Sequence, residues 1–93
     1  MELPINYDQS HWTIRKQARE QYVKLQEGRC WYCDKILSSP PRKNVSDLEI
    51  NRGLFPEGFF KYPIHLHHCH KTGMSIGAVH NICNAVLWQY LGE

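Results

Sequence analysis

Residues 64–84 read IHLHHCHKTGMSIGAVHNICN, and the fold turns on how this stretch is divided. Ile64 to His68 alternate weakly between apolar and imidazole side chains, the pattern of a short half-buried strand. Lys71-Thr72-Gly73 has turn chemistry, and residues 74–79 are apolar or small enough to form the returning strand. Residues 81–91 then carry Ile82, Val86, Leu87, Tyr90 and Leu91 at helical spacing. The stretch therefore predicts a hairpin that runs into a helix.

Outward from it, the N-terminal side predicts one more long element. Residues 1–9 contain Pro4 and are expected to be an extended arm. Ser10 is placed as the cap of a helix over 11–26, with Ile14, Ala18, Tyr22 and Leu25 as its buried stripe. Arg15, Lys16, Arg19 and Lys24 fall on its other faces, and Gly28 is a natural terminator. Residues 34–63 are expected to be irregular. Within them Ser46 and Glu49 suggest a capping box for a short helix over 46–52. The aromatic run Leu54, Phe55, Phe59, Phe60 and Tyr62 is expected to cover a small core, base stacking being the other reading.

The chain has 93 residues, enough for one domain, divided here into an arm and helix (1–29) and the remainder (30–93). Chains this short bury only about 60% of the surface they expose when unfolded, so a covalent or metal staple is expected. Four Cys and six His supply candidates, and five of the His lie between residues 65 and 80. Hydrophobic content of 42% excludes a disordered chain, and no apolar run is long enough to span a membrane. The opening residues lack signal-peptide features, so a cytoplasmic location is expected, where paired Cys more often hold metal than form disulfides. Net charge is +2, too little by itself to announce a nucleic-acid binder. Residues 65–93 hold only Lys71 and Glu93 as permanent charges, so imidazoles and any bound cation would set the electrostatics there.

Cys30-x-x-Cys33 is half of a zinc knuckle, and His80-x-x-Cys83 has the same spacing. Together they form a Cys3His set with no open coordination position, which suits a structural zinc. Cys69 in place of His80 is the alternative fourth ligand. A thiol redox pair at Cys30 and Cys33 is a further reading, which zinc content would exclude. The set leaves His65, His67, His68, His70 and Asn84 unassigned. A helix turns about 100° per residue, so Asn84 points away from the direction of Cys83. Asn84 is thus available to a second metal, and an oxygen-and-imidazole site with open positions suits magnesium or manganese.

In Leu66-His67-His68-Cys69-His70-Lys71-Thr72-Gly73, followed by His80-Asn81-Ile82-Cys83-Asn84, the sequence resembles HNH endonucleases of the ββα-metal superfamily. It is most similar to the recombination endonuclease VII-like group and small phage HNH proteins. The resemblance covers residues 30–33 and about 64–91. It implies a small α+β fold: a zinc-stapled ββα-metal core with an N-terminal helix and a long irregular loop. It implies His68 as general base, His67 and Asn84 as ligands of the catalytic ion, His70 near the scissile phosphate, and Cys30, Cys33 and Cys83 at the structural zinc. His67 stands where many members have Asp, His80 replaces a Cys, and Ile76 replaces an Arg that commonly contacts phosphate.

The implied activity is metal-dependent hydrolysis of DNA phosphodiesters, nicking or cutting both strands. The alternative is a non-catalytic zinc-binding module for nucleic acid or protein. The resemblance also implies a phage-encoded or bacterial protein, with a homodimer or a DNA-processing partner as the source of added specificity. The cations of the N-terminal helix, with Arg42, Lys43, Arg52 and Lys61, are the available phosphate contacts. The long loop is expected to lie beside the cleft.

Overall fold

A computed structural model describes residues 1–93. The elements in chain order are α1 (Trp12–Leu25), α2 (Lys43–Ser46), a 3-10 turn (Arg52–Leu54), β1 (Ile64–His68), β2 (Ser75–His80) and α3 (Asn81–Leu91). The architecture is a small α+β fold with one two-stranded antiparallel sheet. No helix is long and apolar enough to cross a membrane.

The hairpin is paired from Ile64↔His80 to His67↔Gly77 and then slips, so that His68 faces Ser75. One extra β2 residue at this bulge changes the direction in which the following β1 side chains point. Gly73 closes the turn with φ +77, and a Cβ there would lie 2.8 Å from the Asp8 carboxylate. β2 extends one residue further than its apolar pattern suggests, because His80 pairs with Ile64 before it becomes the N-cap of α3. Strand and helix therefore join without a loop. α3 ends at Gly92 in the left-handed region, as glycine permits.

The N-terminal arm lies against the turn and the start of β2. Tyr7 N–H donates to Gly73 O (2.7 Å), Ser75 N–H to Ile5 O (2.8 Å), and Ile5 N–H to the Ser75 hydroxyl (2.9 Å). α1 begins one residue later than expected. His11 is its N-cap, accepting from Thr13 N–H, while the Ser10 hydroxyl turns back to Asn6 O. Of the expected stripe only Ala18 is fully buried, Ile14 and Tyr22 are partly buried, and Leu25 is 67% exposed. Leu25 is the last residue of α1 and faces solvent.

The short helix of the long loop is also displaced. It spans Lys43–Ser46, and Ser46 closes it, donating to Arg42 O and Lys43 O, so the expected capping box with Glu49 does not form. Val45 from this turn joins Cys30, Cys33, Leu37, Ala78, Val79, Cys83 and Val86 in the core. Three of those eight side chains are cysteines, so the core is built around sulfur.

The free edge of β2 is covered in two ways. Trp31 N–H donates to Ala78 O (2.9 Å), and the Gln26 side chain both accepts from Ala78 N–H and donates to Ala78 O, each at 2.9 Å. Gln26 thus acts as a side-chain strand on an edge that would otherwise expose its backbone. Gln26→Ala leaves the Ala78 N–H unpaired in a fully buried residue. We expect a loss of about 1–3 kcal/mol in stability, read by urea denaturation with the slope unchanged. An unchanged midpoint would show that the edge finds another partner.

Candidate metal centre and cleft

Cys30, Cys33, His80 and Cys83 bring their ligand atoms within 4.8 Å of one another, and all four are buried. The Cys pair lies on a tight turn. Cys30 N–H donates to Lys35 O, Asp34 N–H to Cys30 O, and Tyr32 N–H to the Cys30 sulfur at 3.4 Å. Asp34 takes a left-handed backbone (φ 66) to complete it. His80 and Cys83 come from the strand-to-helix junction. His80 Nδ1 lies 3.5 Å from Cys33 Sγ and 3.6 Å from Cys83 Sγ. A tetrahedral zinc with bonds of about 2.3 Å to sulfur and about 2.0 Å to nitrogen separates such atoms by about 3.6 Å.

The other ring nitrogen settles the tautomer. His80 Nε2 is 2.8 Å from Ser39 O and 3.0 Å from Ile36 O, two acceptors, so Nε2 carries the proton. Nδ1 is then bare and directed at the thiols, the arrangement in which imidazole binds metal. The hydrogen bond from Cys83, first, holds Cys30 down to about 4, while Cys30 drives Cys83 upward. A thiolate is thus already favoured inside the cluster, and a structural metal such as zinc fits the set. Cys69 is not part of the group and lies in the turn, partly exposed.

The remaining imidazoles meet a different environment. A cleft of about 860 Å³ lies between α1, the loop before β1, the hairpin and the start of α3. His68, His70 and Asn84 line it, together with His65, which the sequence left without a role. His68 stacks on Tyr7 with ring centroids 3.8 Å apart and planes 5° from parallel, and His70 lies 4.7 Å from it. Arg15 braces Tyr7 by placing its guanidinium 3.9 Å from the ring centre and donating from Nε to Tyr7 O. Burial, then the neighbouring His70 charge, hold His68 below its ordinary range, with Asp8 opposing them. These influences favour the neutral His68 imidazole.

Asn84 Nδ2 donates to His65 Nδ1 at 3.1 Å, which leaves the amide oxygen free. His67 does not line the cleft. It is 1% exposed, with its ring 5.5 Å from Trp31, and neither ring nitrogen has a hydrogen-bond partner. Burial pushes its pKa down, and the Asn84 side chain is the first influence opposing that fall. An imidazole buried without partners costs about 1–3 kcal/mol. His65 was visible in principle: it shares strand parity with His67, and both face the side of β1 where α3 presents Asn84.

The loop lies beside the cleft, and its aromatic run packs into a cluster, Phe55 on Phe59, Phe60 and Trp88, and Phe59 on His65. Phe55, Phe59 and Tyr62 also line the cleft with Trp12 and Trp88. Comparison with family models, curated proteins and solved structures finds no match.

For the cysteine cluster, we expect the purified chain to carry a single tightly held zinc. Cys83→Ala should lose both the zinc and the cooperative unfolding transition, and Cys69→Ser should keep both. Metal analysis with circular dichroism checks this. Zinc retained by Cys83→Ala would remove the Cys3His assignment.

Proposed function

We propose that the chain is a zinc-stapled ββα-metal endonuclease of HNH type that hydrolyses DNA phosphodiesters. The observation that carries this reading is the second histidine group. His68, His70 and Asn84 line an open cleft, apart from the Cys3His set, that Arg15, Lys16 and Arg19 also line, with no Asp or Glu among the lining residues. A purely structural zinc module has no use for a separate, accessible imidazole group on a cationic cleft. The hairpin joined directly to α3 is the arrangement that the sequence resemblance implies.

His68 takes a proton from water at a ring nitrogen, and its stacking on Tyr7 fixes the plane in which that nitrogen acts. His70 donates to a phosphate oxygen from the mouth of the cleft. The orphaned His67 imidazole and the Asn84 oxygen would hold magnesium or manganese, with His65 taking the Asn84 amide N–H so that its oxygen is the available atom. Such a cation, when bound, would supply charge neutralisation at phosphorus and at the leaving oxygen. The lack of carboxylates suits this role, since substrate phosphates bring the negative ligands. Arg15, Lys16 and Arg19 hold the flanking backbone, which makes binding salt-dependent.

With added magnesium or manganese, the chain should nick supercoiled plasmid. His68→Ala should abolish nicking while leaving zinc content and unfolding midpoint close to wild type. Asn84→Ala should also lose nicking and raise the metal concentration needed for any residual activity. Undiminished nicking by His68→Ala, or none by wild type with any divalent ion, would overturn the reading in favour of a zinc-binding interaction module.

A further inference from the structure

We infer that the cleft takes an unpaired strand of DNA in preference to duplex, an inference that rests on the nuclease reading for its choice of nucleic acid. The two walls differ in chemistry. One is α1, which contributes Arg15, Lys16 and Arg19. The other is aromatic: Phe55, Phe59 and Tyr62 from the loop, and Trp88 from α3. Trp12 stands at the start of the basic wall, 65% exposed, and Tyr62, 59% exposed, lines the loop side with Lys61 Nζ 5.6 Å from its ring centre. Large rings left this open, in a chain with so few buried side chains, are not serving the core.

A duplex makes poor use of such a cleft. Its bases are stacked on one another and present only edges, so flat rings have no matching face to meet. Its two backbones call for cations on both sides, whereas the basic residues line one wall. A single strand fits both walls at once: its phosphates follow α1 while its bases lie on the aromatic rings. Stacking of this kind is tolerant of sequence, because every base has a π-face. It also answers the charge balance. With a net charge of only +2, long-range attraction to DNA is weak, and affinity has to come from ring contacts inside the cleft. No Asp or Glu lines the cleft itself, and Asp8, which acts on His68 from beside it, is the acidic group nearest in effect.

The test is binding without turnover. The zinc-loaded full chain, with no magnesium or manganese added, is titrated against a labelled oligothymidylate and against a hairpin duplex of equal charge, read by fluorescence anisotropy. The oligothymidylate should bind more tightly and quench tryptophan fluorescence. Trp12→Ala and Tyr62→Ala, both at exposed positions, should each weaken single-strand binding about 5- to 100-fold and leave duplex binding unchanged. Lys16→Ala should weaken both and reduce the salt dependence. Duplex binding as tight as single-strand binding, or stacking variants that keep wild-type affinity while folded, overturns the inference. The outcomes separate it from the nuclease reading. A chain that binds oligothymidylate through Trp12 and Tyr62 but never cleaves loses only the activity, whereas a chain that cuts duplex and ignores the oligothymidylate loses only the substrate preference.

Discussion

The ring of His80 is the point on which the rest of the molecule depends. One nitrogen donates to the carbonyls of Ser39 and Ile36, and the other faces the sulfurs of Cys33 and Cys83. A single side chain thus ties the irregular segment after the Cys pair, the end of β2 and the start of α3 into one cluster. In a chain whose core contains only a few aliphatic side chains, burial alone contributes little beyond the entropy of ordering the backbone. Ligand bonds to a metal change that balance, because binding free energy at a site formed only in the folded chain is folding free energy.

The same junction positions the cleft. β2 passes into α3 without an intervening residue, so the direction of the helix is set by the strand and by the cluster at His80. Cys83 and Asn84 follow within the first turn, about 100° apart, one buried toward the sulfurs and one toward the cleft. At the other end of the hairpin the bulge between His67 and His68 separates their tasks. His67 is enclosed against Trp31, and His68 emerges beneath Tyr7.

What could be read from the sequence was local. Spacing in Cys30-x-x-Cys33 and His80-x-x-Cys83, the Lys71-Thr72-Gly73 turn and the 3.6-residue period of α3 each involve neighbours, and the structure has the corresponding elements within a residue or two. What escaped depends on distant pairings. Ser10 was a good cap by chemistry, but its hydroxyl is held by Asn6 O, and His11 takes its place. Ser46 could not cap a helix that Val45 had already drawn into the core. The Tyr7–His68 stack joins the arm to the hairpin across sixty residues of sequence, and no periodicity encodes it. Likewise the aromatic run has the composition of a core cover, and nothing in its spacing says that Phe55, Phe59 and Tyr62 also line a cleft with residues of α1.

Small size then has a consequence for how stability and chemistry are linked. In a larger domain the metal that holds the fold and the groups that face a ligand sit on different elements, and one can be perturbed without the other. Here α3 carries both, and its first turn has no side-chain cap of its own. The helix start is fixed by the cluster at His80 and Cys83 and by Asn81, whose N–H donates to Pro63 O and whose side-chain amide donates to Phe60 O and Tyr62 O. Loss of the cluster removes one of these two holds on the turn that carries Asn84, whose amide meets His65 at 3.1 Å. The arm supplies an independent constraint on the opposite wall, since Tyr7 is held by Gly73 O and Arg15 and does not touch the sulfur cluster. The floor of the cleft therefore follows the metal cluster, while the stack over His68 follows the arm, and the imidazole group between them is only as ordered as the weaker of the two.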